Sequence, residues 1–191
     1  MKLGSLLGMD DQTPVTGFAI DHRKVAPGTI FGAFEGAKVN GEDFIEAAIA
    51  AGAVAVVARP GVRVEGAVHI SNDEPRRSFA LLAAKFFQPF PDICVAVTGT
   101  NGKTTVASLL HQLFLLLDKK AGLLSTVQIL VNKEVHPATH TTPDPITINS
   151  YLRKMVDEGC KYCFMEVSSH GLVQNRVSGL EFDGAAFTNI T

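Results

Sequence analysis

No apolar run in the chain approaches the roughly 18 to 20 residues that a membrane-spanning helix needs. The opening MKLGSLLGMDDQ holds one lysine, then acids, with too short an apolar stretch for a secretory leader. Charge of one sign is missing too: 17 Lys and Arg against 19 Asp and Glu leave a net charge of −2. Neither nucleic acid nor a membrane is therefore expected as a main partner. Cysteine is scarce, at three in 191 residues, which argues against a disulfide scaffold and fits the cytoplasm as the expected compartment. Cys160 and Cys163 form a C-x-x-C. A zinc site would need a second ligand pair, and Cys94 stands alone. A redox pair should open a helix, whereas this one enters a strand-like run, so the cysteines are read as structural.

What the chain does have is core material. Hydrophobic residues make up 46% and charged residues 19%, an ordinary globular balance. Strand-like and helix-like stretches alternate, which predicts an α/β fold. Residues 17–21, 28–34, 53–59 and 67–72 read as strands. Residues 41–52 read as a helix with Phe44, Ala47, Ala48 and Ala51 on one face. A second helix, capped by Asp73, carries Phe79, Leu82, Ala83 and Phe86 in register. Pro89 and Pro91 then make a stiff connector, which places a domain boundary between residues 88 and 89.

The second half restarts with the continuous apolar strand 93–97, of the kind buried on both faces of a parallel sheet. A helix follows, with Val106, Leu109, Leu110, Leu113, Phe114 and Leu117 as its apolar stripe. His111 falls off that stripe and is expected on the solvated surface. Residues 126–131 read as a strand followed by a polar loop. Asp144 and Pro145 open a further helix, striped by Ile148, Tyr151, Leu152, Met155 and Val156, with Gly159 past its end. Strands at 162–167 and 184–190 complete the pattern, with a turn at SSHG between them. The last strand has no covering helix, so this half reads as a mainly parallel domain cut short.

Between strand 93–97 and its helix lies GTNGKTT (99–105). A Gly-rich turn between a strand and a helix that opens with Lys-Thr is a phosphate cradle. Backbone amides converge on one spot with the helix dipole behind them. Gly99 and Gly102 allow close backbone approach. Lys103 can reach the β- and γ-phosphates, and Thr104 can offer its hydroxyl to Mg²⁺. Val97 stands where the general pattern G-x-x-x-x-G-K-[ST] has its first glycine. The base-reading N-K-x-D of a GTPase has its nearest match at 132–135, where Val135 replaces the aspartate, so a switch or motor is disfavoured. Glu166 ends a neighbouring strand, where a metal-bound carboxylate would sit; the alternative is a solvated acid. SSHGLVQNR (168–176) gathers hydroxyls, an imidazole, an amide and a guanidinium that suit a polyanionic substrate, with Arg176 as a bidentate clamp, or else form a polar surface loop.

GTNGKTT (99–105), HTTPD (140–144), MEVSSHGLVQNRV (165–177) and FTNIT (187–191) together resemble the Mur ligases, most of all the MurE type. DHRKVAPGTIF (21–31) and NGEDFI (40–45) resemble that type's uridine-nucleotide-binding domain. The resemblance implies a small N-terminal α/β domain (1–88) for the uridine nucleotide and an incomplete central P-loop domain (89–191) for ATP. It implies ATP bound by Gly99, Thr100, Asn101, Gly102, Lys103, Thr104 and Thr105, with Lys103 catalytic and Mg²⁺ held by Thr104 and Glu166. Substrate contacts implied are Ile20, His22, Thr141, Thr142, Ser168, Gln174 and Arg176. His22 replaces the family's usual Ser, and Asn40 its usual Asp. The implied activity is ligation of a diamino acid, meso-diaminopimelate or L-lysine, to UDP-N-acetylmuramoyl-L-alanyl-D-glutamate through an acyl phosphate. The family's carbamylated lysine and amino-acid-binding domain would lie beyond residue 191, so these 191 residues alone are expected to be inactive. Two other readings stand: a nucleotide or UDP-sugar binding module without turnover, and a related ligase of the folylpolyglutamate or another Mur type.

Overall fold

The structure is a computed structural model that describes residues 1–36 and 39–190. It divides into two compact units, Met1–Phe86 and Phe87–Thr191.

The first unit begins with helix α1 (Leu3–Leu7). Its sheet contains β1 (Gly17–Ala19), β2 (Thr29–Gly32), β3 (Ala53–Ala58) and β4 (Val68–Ser71), all parallel and in sequence order across the sheet. Phe31, Val56 and Ala58 bury one face of the sheet with Ile45 and Ala48. Elsewhere in the unit Phe18 and Phe34 each meet Phe79 edge-on, with ring centroids 5.3 Å apart. The helix expected over 41–52 is a 3₁₀ turn, Gly41–Phe44, running into α2 (Ile45–Ala50). The side chain of Asn40 caps that turn by accepting from the Glu42 amide. Three residues per turn instead of 3.6 rotate the buried face. Ile45 and Ala48 therefore reach the core, while Ala47 is exposed. Helix α3 (Pro75–Phe87) starts two residues after Asp73, with proline at its first position. Asn72 supports the turn before it by accepting from the Glu74 amide.

The second unit contains β5 (Ile93–Thr98), α4 (Lys103–Leu116), β6 (Ala121–Leu124), β7 (Gln128–Val131) and β8 (Glu134–Pro137). It continues with α5 (Pro145–Asp157), β9 (Tyr162–Glu166), α6 (Ser169–Val173) and β10 (Gly184–Phe187). The strand order is β10-β5-β9-β6-β7-β8. The first four are parallel, and β7 and β8 continue the sheet antiparallel. The polar segment read as a loop after residue 131 is thus a hairpin strand. Asn132 makes its tight turn at φ 55°, a left-handed conformation that asparagine tolerates. Helix α5 matches its sequence signals. Asp144 accepts from the amides of Ile146 and Thr147, and Ile148, Leu152 and Met155 are buried.

Helix α4 departs from its apparent stripe. Leu109, Leu113 and Leu117 are 58%, 50% and 58% exposed. The buried positions are Ala107 and His111, flanked by Val106, Leu110 and Phe114. The expectation of a solvated His111 is wrong: it is 2% exposed. Its Nε2 lies 3.1 Å from the carbonyl oxygens of both Ala121 and Asn132, at the start of β6 and in the β7–β8 turn. A ring N–H there can donate to these backbone acceptors, which gives the buried imidazole a hydrogen-bond partner.

Burial pushes the His111 pKa below its ordinary value, against the opposing pull of the two carbonyls. The fold therefore favours the neutral ring. Its contribution to stability is complete above the unfolded value of about 6.5 and is lost as pH falls below it. Denaturant titrations at pH 7.5 and pH 5 should show the stability gap between the wild type and His111→Gln narrowing at the lower pH. A gap that stays constant would contradict this reading.

Candidate functional site

Parallel strands deliver their C-terminal ends to one edge of a sheet, and the loops that follow are where α/β proteins place ligands. In the second unit that edge carries the turn after β5, the Ser125–Thr126 step after β6 and Glu166 at the end of β9. The register pairs Val97 with Glu166, and the Val167 amide donates to Val97 O. This brings the Gly-rich turn and the carboxylate to the same level.

The turn is held by both of its glycines. Gly102 adopts φ +83° as the residue before α4. Gly99 adopts φ +127°, and a Cβ there would stand 2.2 Å from Thr188 Oγ1 and 3.0 Å from the backbone of Asn189. Gly99 is thus required by the chain after β10. Lys103, the first residue of α4, reaches back to the carbonyls of Gly99 (2.6 Å) and Thr100 (3.1 Å). Its ammonium is therefore held by the carbonyls of the turn, at the end of the helix where backbone amides lie before the helical ladder. Thr104 is half-buried, and Asn101 and Thr105 are exposed.

Glu166 is fully buried. Its carboxylate accepts from the Thr126 amide at 2.8 Å and from the Thr126 hydroxyl at 3.1 Å. Its burial excludes the solvated acid, and among the described residues it has no ion pair. No three His, Cys, Asp or Glu side chains group to hold a metal among the described residues. All three cysteines are free and buried.

The other predicted residues of this unit form one hydrogen-bonded chain with Glu166. Thr126 Oγ1, its proton given to Glu166, lies 3.0 Å from Thr141 Oγ1 and can accept from it. The Thr142 hydroxyl donates to Glu166 O (3.1 Å), accepts from the Ser168 amide (2.9 Å) and lies 3.1 Å from Ser168 Oγ. Thr142 is 1% exposed, so its hydroxyl supports the site from inside and does not face a ligand. Ser168 caps α6 by accepting from the Gly171 amide, so the SSHG segment opens a short helix where a turn was expected. Arg176 donates to Thr142 O (2.6 Å) and, through Nε and Nη2, to Gln174 Oε1 (3.0 and 2.7 Å). The guanidinium is thereby fixed in orientation. Thr126 was absent from the sequence reading. It sits 40 residues from Glu166, and only the hydroxyl of the Ser-Thr step after a buried strand could have signalled it.

Ile20 and His22 belong to the first unit. There they line a cavity of about 510 Å³ with Phe31, Phe34, Phe44 and Arg76. His22 stacks on Phe44 with centroids 4.4 Å apart and planes 4° from parallel. Arg76 lies over the Phe34 ring and donates to Glu35 O. Asp21 caps the 3₁₀ turn at 22–24. The Arg23 guanidinium and amide beside it hold its carboxyl down to about 2. Aromatic faces with guanidinium groups at the margin suit a flat heterocycle bearing an anionic group.

Two family descriptions match the chain: "Mur ligase middle domain" over residues 97–191 and "Mur ligase family, catalytic domain" over residues 14–85. A UDP-N-acetylmuramoyl-L-alanyl-D-glutamate--2,6-diaminopimelate ligase from Zymomonas mobilis is 51% identical over 178 residues, covering 93% of this chain and 37% of that protein. A ligase of the same name from Phocaeicola vulgatus is 44% identical over 186 residues, covering 95% and 38%. The chain thus spans little more than a third of the length of these curated relatives. A solved structure of a ligase with that name superposes on all of this chain and 40% of its own, with TM-score 0.84 and 27% identity. MurF ligase from Thermotoga maritima, solved in complex with ADP, shares the fold at TM-score 0.64 and 22% identity, over 93% of this chain and 38% of its own.

The Thr142 hydroxyl ties its own segment to residues 166–168, so Thr142→Val, nearly the same shape, should destabilise the chain by about 1–3 kcal/mol. A shift of the urea midpoint measures this. An unchanged midpoint would remove Thr142 as the support of Ser168.

Proposed function

The chain belongs to the Mur ligase family, and we propose that it forms the first two domains of a ligase that joins 2,6-diaminopimelate to UDP-N-acetylmuramoyl-L-alanyl-D-glutamate at the cost of ATP, in the cytoplasm. The observation that carries this reading is the convergence at one sheet edge of the phosphate turn, buried Glu166 and the Thr141–Ser168–Arg176 cluster. Among the described residues no helix is long and apolar enough to cross a membrane. In this reading residues 1–88 take the uridine nucleotide, with Ile20 and His22 at the cavity. Residues 89–191 take ATP and the muramoyl-dipeptide.

The roles follow from chemistry. Amides of the turn and of the first helical turn, with the dipole behind them, receive the phosphates. Lys103 moves from the loop carbonyls to charge developing on the transferred phosphoryl group, which makes it the catalytic cation. Thr141, Ser168 and Gln174 offer hydrogen bonds to the dipeptide, and Arg176 offers the guanidinium edge left by Gln174 and Thr142 to a carboxylate. Glu166 and the Thr104 hydroxyl would hold Mg²⁺, a hard cation that binds through one or two protein oxygens together with phosphates and water. When bound, it would neutralise phosphate charge. The γ-carboxylate of the D-glutamate attacks the γ-phosphate of ATP and gives an acyl phosphate and ADP. The amine of the diamino acid then attacks the acyl carbon and releases phosphate. No protein nucleophile is required, consistent with three buried thiols.

Calorimetric titration with UDP-N-acetylmuramoyl-L-alanyl-D-glutamate, with UDP as control, tests the proposal. Binding should exceed that of UDP, and Arg176→Ala should remove about tenfold of the dipeptide-dependent gain while leaving UDP affinity unchanged. Equal affinity for UDP and the full substrate would favour a nucleotide-binding module instead.

A further inference from the structure

Beyond the residues already assigned, the Gly-rich turn has a second set of partners, supplied by the two residues after the edge strand β10. The Thr188 amide donates to Thr98 O at 2.9 Å, which carries the β10–β5 pairing one step past the strand. The Thr188 hydroxyl points into the turn, 2.6 Å from Asn101 O and 3.1 Å from Thr98 O. Asn189 accepts twice: its backbone oxygen from the Thr100 amide at 3.1 Å, and its side-chain oxygen from the Asn101 amide at 3.0 Å. Its side-chain nitrogen lies 3.3 Å from Asn101 O. The fit leaves no room for a Cβ at Gly99.

These bonds divide the turn. A phosphate cradle works through backbone amides, yet the amides of Thr100 and Asn101 already have acceptors. The first intrahelical bond of α4 runs from the Val106 amide to Gly102 O. The amides of residues 102–105 therefore lie before the helical ladder and face outward along its axis. We propose that Thr188 and Asn189 are positioning residues for the nucleotide: they clamp the first half of the turn to the sheet edge, so that phosphate is received by the amides of residues 102–105 alone. The inference rests on the reading of this turn as a nucleotide site, and adds to it the residues that fix its shape.

The clamp can be read amide by amide in the ¹⁵N-labelled 191-residue chain, with ATP and MgCl₂ as probe. In the wild type the Thr100 and Asn101 amides should exchange slowly with and without ATP, while the amides of 102–105 shift on its addition. Asn189→Ala should release the Asn101 amide to fast exchange. Both Asn189→Ala and Thr188→Val should weaken ATP binding about tenfold, the scale of one hydrogen bond. Thr188→Ser, which keeps the hydroxyl, should bind within about twofold of the wild type. A loss caused only by general loosening would not separate the serine from the valine variant. Wild-type ATP binding that both variants retain, or ATP-induced shifts centred on Thr100 and Asn101, would overturn the clamp while leaving the nucleotide reading intact. No ATP response anywhere in residues 99–105 would overturn both.

Discussion

The pairing of β5 with β9 is the constraint on which the second unit depends. Cys94 lies beside Cys163 and Val97 beside Glu166, in a parallel ladder buried on both faces. Because side chains alternate along a strand, a slip of one residue would turn Glu166 to the other face and exchange it with Cys163 and Met165, which now fill that face. The core sets the register: Cys94, Ala96, Cys163 and Met165 share one cluster, and Val97 and Phe164 the opposite one. Packing that has no chemistry of its own thereby fixes where the carboxylate stands relative to the Gly-rich turn.

Around that pair the polar groups behave as a support system. Thr126 fixes both oxygens of Glu166, Thr142 joins Glu166 to Ser168, and Thr142 and Gln174 together orient Arg176. Each link is a modest net hydrogen bond, but each is expensive to leave unmade in a buried setting. Side chains held in this way present functional atoms with little conformational freedom left to lose on binding, and such order favours positioning chemistry. A ligase that transfers a phosphoryl group needs positioning and electrostatics more than covalent catalysis.

Much of this was legible in the sequence wherever the information is contiguous. The Gly-rich turn between strand and helix is spelled out in seven consecutive residues and stands between β5 and α4, and α5 announces itself by Asp144, Pro145 and a regular stripe. The first-unit strands were read to within a few residues because each is a short apolar run closed by polar or turn residues. What failed depended on distant partners. His111 looked like a surface residue because its acceptors, Ala121 O and Asn132 O, exist only once β6 and the β7–β8 turn are in place. The leucines of α4 suggested a buried stripe, yet the sheet takes up the neighbouring face, where alanine permits close approach. Strand β6, four residues of AGLL, is too short to show a period. Thr126 carries no motif, and FTNIT marks Thr188 and Asn189 without showing what they do, since their bonds run to partners 40 to 90 residues away.

The central claim is that the turn and Glu166 form one site for a nucleotide and its metal. The most direct measurement is calorimetry of ATP binding to the chain in MgCl₂ and in EDTA, for the wild type and Glu166→Gln. The account predicts that Mg²⁺ strengthens ATP binding to the wild type by about tenfold or more and that this gain disappears in the glutamine variant. The same Mg²⁺ gain in Glu166→Gln, or no ATP binding to the wild type in either buffer, would contradict it.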